Sequence, residues 1–240
     1  MEKYDLLPRQ LMHEGTCTPE DFFTPTALDR ATIERIHHSE YIDKLLALDL
    51  DKKEARKIGF PLSKQLIDRE IIIAGGTIQG ALKALEHGIA MNIAGGTHHA
   101  FKAHGEAFCL FNDQAIAAQY LLDQELVDTI LIVDLDVHQG NGTAEIFESN
   151  SKVFTFSMHG EKNYPFHKEK SDLDIALEDG CSDEVFLNIL EETLPELIAQ
   201  NQPDFIFYLC GVDVLETDKL GRLAMSIAGC KQRDTYVLEL

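Results

Sequence analysis

The feature that most constrains this chain is a repeated pattern in which a short, unbroken apolar run is followed by a cluster of His, Asp, Gly or Ser. Ile89–Ala94 leads into Gly95-Gly96-Thr97-His98-His99, and Thr129–Val133 leads into Asp134-Leu135-Asp136-Val137-His138-Gln139-Gly140-Asn141-Gly142. Val153–Phe156 leads into Ser157-Met158-His159, and Phe205–Leu209 into Cys210-Gly211-Val212-Asp213. Apolar runs without alternation read as strands buried on both faces. Between them lie helical patterns at about Asn112–Leu122, Gly142–Glu148, Ser182–Ala199 with an interruption at Pro195, and from near Ser226 onward. Strands alternating with helices predict an α/β fold with a parallel sheet covered by helices on both faces. In such sheets ligands bind beyond the carboxyl ends of the strands, which is where the polar clusters fall.

The first part of the chain reads as helical. Thr18-Pro19-Glu20-Asp21 is an N-cap with Pro at the first helical position. Ser39 is expected to cap a short helix to about Leu48. Asp49–Lys57, dense in charge, reads as a solvated loop or helix edge. Ser63–His87 reads as a long helix closed by Gly88, with Gly75-Gly76 marking a close packing or a break.

Composition narrows the function. With 240 residues, 45% hydrophobic and 26% charged, the chain suits one folded domain over 1–240. The 21 Lys and Arg against 41 Asp and Glu leave a net charge of −20, which repels phosphate backbones and anionic lipid; it would draw in a cationic substrate, though solubility is the plainer reading of it. Direct nucleic-acid and membrane partners are therefore not expected. No apolar run reaches the roughly eighteen residues of a membrane span, and MEKYDLLPRQ lacks the apolar core of a signal peptide, so a cytoplasmic location is expected. Five scattered cysteines without a CxxC pair indicate a reduced chain with no thiolate zinc knot.

Asp134, Asp136 and His138 are spaced by two, so on an extended segment they share a face. Asp136 and His138 can bind one metal from one strand end, with Asp213 as a third ligand. Two Asp oxygens and one His nitrogen fit a catalytic site with open positions better than a closed structural zinc site. A lone DxD would favour a strand-end cap or Mg²⁺ for phosphate chemistry; DxDxH followed by Gly140-Asn141-Gly142 is much more specific. In His98-His99, adjacent side chains point different ways, so one can face a metal-bound water as general base while the other lies deeper. Phe108 either lines an access channel or packs in a core. His104, His159 and His167 are read as surface or structural.

At these residues the chain resembles the histone deacetylase family of arginase-like zinc amidohydrolases. The matching stretches are GGTHHAFKAHGEAFCLFND, IVDLDVHQGNGTAEIF, FTFSMHG and CGVDVLETDKLGRLAMS. The Gln139-Gly140-Asn141-Gly142 variant resembles the class IV branch and its bacterial relatives. The resemblance implies an arginase/deacetylase-like fold and one Zn²⁺ held by Asp136, His138 and Asp213. It implies His99 as base, His98 as its tandem partner, and Asp134 as the carboxylate that buttresses the first His. Asn141 stands at the partner position of the second His, where some branches have a charged Asp, and this should leave His99 less basic. A structural K⁺ is implied at Asp134, Asp136, His138, Ser157 and Met158, and a channel position at Phe108. The implied reaction is hydrolysis of an acetyl-type amide on acyl-lysine, an acylated polyamine or another small amine, His99 taking a proton from the attacking water.

Against the family pattern, position 107 is Ala where Gly is usual. The family's first strand and its Gly-Gly-Tyr segment, whose Tyr polarises the acyl oxygen, have no counterpart here, and Tyr236 in the last helix does not replace it. Weak turnover is the corresponding expectation, with self-association over a bare sheet edge at Phe205–Leu209. Two alternatives stay open: an inactive zinc-binding fragment or pseudoenzyme, and a two-metal ureohydrolase-like amidohydrolase, for which too few further Asp or His ligands are visible.

Overall fold

Residues 3–240 are described by a computed structural model. They fall into two units, one ending at Leu121 and one running from Leu122 to Leu240.

The N-terminal unit is helical. Helix α1 spans Lys3–His13. A single 3-10 turn at Pro19–Asp21 follows, where the Asp21 carboxylate accepts from the Thr18 N–H at 2.7 Å and its hydroxyl at 2.9 Å. Helix α2 is Arg30–Ile33, and α3 is Ser39–Leu46 with His38 rather than Ser39 at the N-cap. The charged stretch after it forms a helix of its own, α4 (Lys52–Ile58). Asp51 accepts from the N–H groups of Lys53 and Glu54 while Glu54 reaches back to the Asp51 N–H. Helix α5 spans Lys64–His87, with Ser63 at its N-cap and Gly88 closing it. Gly75-Gly76 does not break it. A Cβ on Gly75 would collide with the Thr26 carbonyl oxygen, and one on Gly76 would meet Pro25 Cβ at 3.2 Å, so the pair lets another segment lie against the helix. Helix α6 is Asp113–Asp123.

The Ile89–Ala94 run is not a strand, contrary to the expectation. Ile89 and Met91 are 58% and 66% exposed. A strand exists only where a neighbour completes its ladder, and among the described residues none pairs with this segment. Instead Asn92 ties it to α5, its amide donating to Ile73 O at 2.9 Å and Thr77 Oγ1 at 2.7 Å.

The C-terminal unit is a four-stranded parallel sheet in the order β3-β2-β1-β4, built from β1 (Ile130–Asp134), β2 (Val153–Gly160), β3 (Leu173–Leu177) and β4 (Phe205–Leu209). Strand β3 is not foreshadowed by the apolar runs. It lies at an edge and alternates in burial, so it lacks the unbroken apolar run that marks β1. Helix α7 (Asn141–Phe147) links β1 to β2, and α8 (Asp183–Asn201) precedes β4. Helix α9 (Ile227–Glu239) starts at an N-cap Ser226 whose side chain accepts from the Gly229 N–H. The core gathers Leu131 and Val133 of β1, Phe156 of β2, and Phe186, Leu190 and Leu194 of α8, all at 1% exposure or less. Truncating such a side chain costs roughly 2–5 kcal/mol.

Pro195 does not interrupt α8, contrary to the expectation. Its missing N–H leaves the Glu191 carbonyl without its helical donor. The Tyr236 hydroxyl of α9, 3.4 Å from that oxygen, supplies one.

The chain runs β1 to β2 to β3 toward one edge, then β4 returns to the other side of β1. The switch point of the sheet thus lies between β1 and β4, and the carboxyl ends of strands flanking a switch point form the natural ligand crevice.

Candidate metal centre and catalytic histidines

Three side chains converge at that switch point. Asp136 and His138 follow the end of β1, and Asp213 follows the end of β4. One ligand atom from each lies within 4.8 Å of the other two. The His138 Nδ1 is 3.0 Å from Asp136 Oδ1 and 3.1 Å from Asp213 Oδ2. Backbone groups hold the carboxylates: Asp136 Oδ1 accepts from the His138 N–H at 2.8 Å, and Asp213 Oδ1 from the Val137 N–H at 3.2 Å. Burial alone would make the imidazole easier to deprotonate, but the two carboxylates outweigh it and push the His138 pKa up to about 10. Without a metal the cluster therefore holds a proton.

The donor set fits a divalent cation. Two anionic oxygens and one imidazole nitrogen face a common point, and no thiolate is among them. The surrounding backbone makes room: a Cβ on Gly211 would collide with the Asp136 carboxylate. Among the described residues no second group of three such side chains converges, as a two-metal ureohydrolase would require.

Asp134 ends β1, buried, with its Oδ1 accepting from the Asp136 N–H at 3.1 Å. Register sets it opposite Ser157 of β2 and Leu209 of β4. Ser157 Oγ lies 2.9 Å from Nδ1 of the buried His159, and Met158 is fully buried. After His138, Gln139 is fully buried and joined to the entrance of β3. Its amide donates to Glu169 O and Asp174 Oδ1, each at 2.7 Å, and its oxygen accepts from the Glu169 N–H at 2.9 Å. Asn141, also buried, opens α7.

In the N-terminal unit, His98 and His99 are each 5% exposed, with ring centroids 4.1 Å apart. Their loop is gathered around the carboxylate of Asp113, at the start of α6 and 1% exposed. That carboxylate accepts from the N–H groups of Gly96 (3.1 Å) and Thr97 (2.8 Å) and from the hydroxyls of Thr97 (2.6 Å) and Thr77 (2.5 Å). Successive N–H groups pointing into one concavity make an anion seat. A Cβ on Gly95 would crowd Asp113 Oδ2 at 2.5 Å, so glycine is what lets the loop come this close.

Phe108 stands at the tip of a tight turn between Glu106 and Cys109, with φ of 43° at Ala107 and 69° at Phe108. Its ring is 53% exposed and packs on Phe60 with centroids 4.9 Å apart, so it is not a core residue. His104 stacks on Phe101, and His167 is exposed.

The model of the histone deacetylase domain matches residues 1–240. The chain belongs to the histone deacetylase family. An uncharacterized protein of Picosynechococcus is 46% identical over 238 residues, covering 99% of this chain and 79% of its own length. Histone deacetylase 2 of Arabidopsis thaliana is 32% identical over 76% of this chain, and histone deacetylase clr6 of Schizosaccharomyces pombe 31% identical over 86%. The chain spans about half the length of these two deacetylases, 46% and 56% respectively. Among solved structures, a deacetylase homologue complexed with SAHA superposes with a TM-score of 0.85 at 25% identity, over 98% of this chain and 68% of the other. A homologue from Aquifex aeolicus matches with the same values. The fold is thus of the arginase/deacetylase kind, and the parallel sheet with its helices agrees with it.

Within this deacetylase fold the structure brings together Asp136, His138 and Asp213, and separately His98 and His99. Sequence reasoning misses the buried charges behind them, Asp113 and Arg233. Arg233 sits in the helical pattern of α9, and nothing local distinguishes it from a surface arginine. Asp113 closes the stretch GGTHHAFKAHGEAFCLFND, but its role depends on a loop sixteen residues away.

Proposed function

We propose that this chain is a zinc-dependent hydrolase of acyl amides, removing acetyl-type groups from acyl-lysine or from acylated polyamines and other small amines. The observation that carries this reading is the convergence of Asp136, His138 and Asp213 at the β1/β4 switch point. These three would hold the zinc. A zinc ion bound there would supply Lewis acidity to the acyl oxygen and to water.

The protein's own groups do the rest. Backbone N–H donors hold the two half-buried carboxylates, so the triad is preorganised. His138 would give up its extra proton on holding a metal, and its Nδ1 is the ring nitrogen that faces the Asp136 and Asp213 carboxylates. His99 is assigned as the base that removes the water proton, and His98 as its tandem partner. The family resemblance supports those roles, together with Asp134 as a buttress and Asn141 as a neutral partner position. Phe108, exposed at a turn, is assigned to the substrate channel. The register pairing of Asp134 with Ser157 supports a potassium site that also draws on Asp136, His138 and Met158. Named histone deacetylases among the relatives support the acyl-lysine class. The net charge of −20 favours an amine over an anionic substrate. No helix among the described residues is long and apolar enough to cross a membrane.

The test pairs metal content with turnover. Wild type should hold one zinc per chain and release acetate from an acetyl-lysine peptide or N-acetylspermidine. Asp213→Ala should lose stoichiometric zinc. His99→Ala should keep zinc and lose at least a hundredfold in turnover. Full zinc retention by Asp213→Ala overturns the metal assignment. Zinc binding with no turnover above His99→Ala would identify a metal-binding protein without this activity.

A further inference from the structure

Behind the metal ligands lies a fully buried arginine. Arg233 of α9 is 0% exposed. Its Nη1 donates to the carbonyl of Leu135 at 3.2 Å and to the carbonyl of Gly211 at 2.8 Å. Those two carbonyls belong to the two loops that carry the ligands: Leu135 lies between Asp134 and Asp136, and Gly211 is two residues before Asp213.

The position of the contacts explains the need for them. The β1–β4 ladder extends one step past the strands, with the Leu135 N–H donating to Leu209 O at 3.1 Å. There the two backbones part. The buried Leu135 carbonyl and the partly buried Gly211 carbonyl lie just past that point, and carbonyls withdrawn from water need donors. Arg233 supplies both from a single nitrogen, and so ties the β1 loop to the β4 loop where the ladder no longer does. Its charge is balanced locally. Asp234 Oδ1 accepts from Nε at 2.9 Å and lies 2.8 Å from Nη2 in an ion pair without a well-angled hydrogen bond. The Tyr208 hydroxyl of β4 donates to the same oxygen at 2.7 Å. A cation this deep is costly unless paired, so its cost is met beside the site.

We propose that Arg233 is a positioning residue for the metal centre: its guanidinium sets the separation of the β1 and β4 loops, and thereby the distance between Asp136 and His138 on one side and Asp213 on the other. This rests on reading the triad as a metal centre. Among the described residues its hydrogen bonds and ion pair go to Leu135 O, Gly211 O and Asp234, so it acts through the backbone that carries the ligands.

Cobalt(II) serves as the probe because its visible absorption reports ligand geometry. Arg233→Lys keeps the charge and most of the stem but loses the planar fork that spans two carbonyls and a carboxylate. Arg233→Met removes the charge. Tyr208→Phe is the control, since it removes the hydrogen bond to Asp234 and leaves both carbonyl contacts in place. The expected result is cobalt affinity ten- to a hundredfold weaker in Arg233→Lys, with an altered absorption band, and unchanged affinity and band in Tyr208→Phe. Melting of each protein with chelator present separates this from general loss of stability. Wild-type affinity and absorption in folded Arg233→Lys or Arg233→Met overturn the proposal, as does an equal loss in Tyr208→Phe. Failure of the wild type to bind cobalt overturns the metal centre itself, and this role with it.

Discussion

In the N-terminal unit the loop carrying His98 and His99 closes around a buried anion, Asp113; in the C-terminal unit the loops carrying Asp136, His138 and Asp213 are tied by a buried cation, Arg233. The sign of each charge follows from which backbone groups face inward. After Gly95-Gly96 the turn presents successive N–H groups, which need an acceptor. Past the end of the β1–β4 ladder the loops present carbonyls, which need a donor. In neither unit is the buried charge one of the groups assigned to the chemistry. Two histidines, one buried and one half-buried, differ in the same way. His37 is held neutral: burial pushes its pKa down to about 4, its Nδ1 lies 2.9 Å from Phe101 O, and its Nε2 accepts from the Asn112 N–H at 3.0 Å. His138 is instead held protonated by the carboxylates of Asp136 and Asp213.

The sharpest way to break this comparison is to remove the anion. Asp113→Ala leaves two part-buried N–H groups and two hydroxyls without their acceptor. The expected loss is about 3–5 kcal/mol of unfolding free energy by urea titration. Zinc content per folded chain should be unchanged, since none of the groups that lose their acceptor is one of the proposed ligands. A parallel fall in zinc content would show that the two loop systems are not independent.

A smaller effect tests the neutral histidine. Below the ordinary histidine pKa of about 6.5 the unfolded chain takes up a proton that native His37 refuses, so its contribution to stability is complete above that value and declines as pH falls toward 4. The loss over that window is about 3 kcal/mol at most. His37→Gln should flatten this part of the stability-versus-pH curve, and an unchanged slope would refute the assignment.

The smallest effect concerns the turn that carries Phe108. Ala107 sits at φ 43°, where a Cβ is strained. Ala107→Gly should raise stability by about 1 kcal/mol in thermal denaturation, with metal content unaffected. Destabilisation there would mean that the alanine methyl contributes more through packing than it costs in backbone strain.

Much of the site is legible in the sequence. Asp136 and His138, two residues apart, follow one buried strand and Cys210-Gly211-Val212-Asp213 follows another; the structure puts those strands side by side and brings Asp136, His138 and Asp213 together, while Asp134 ends β1 outside that group. The Thr18 and Ser63 caps and the Gly88 stop are equally local signals, and each is present. The helix at Lys52–Ile58 escapes the sequence reading although its Asp51 and Glu54 form a capping box, because charge density masks a three-residue signature.

What the sequence determined by itself is what depends on neighbours a few residues away: the sheet's strand-end clusters, the ligand types, most helix limits and the family. What only the tertiary structure decided depends on partners far along the chain. Ile89–Ala94 has the composition of a strand, yet it forms none because no strand among the described residues completes its ladder. Pro195 should break a helix, yet α8 continues past it, and the carbonyl that it leaves without a helical donor accepts from Tyr236, forty-five residues away in sequence from Glu191. Arg233 looks like any helical arginine until its Nη1 meets Leu135 O, ninety-eight positions away. Spacing along a chain encodes which side chains share a face, but the partner of a buried charge is chosen by packing, and packing brings together residues that no local pattern relates.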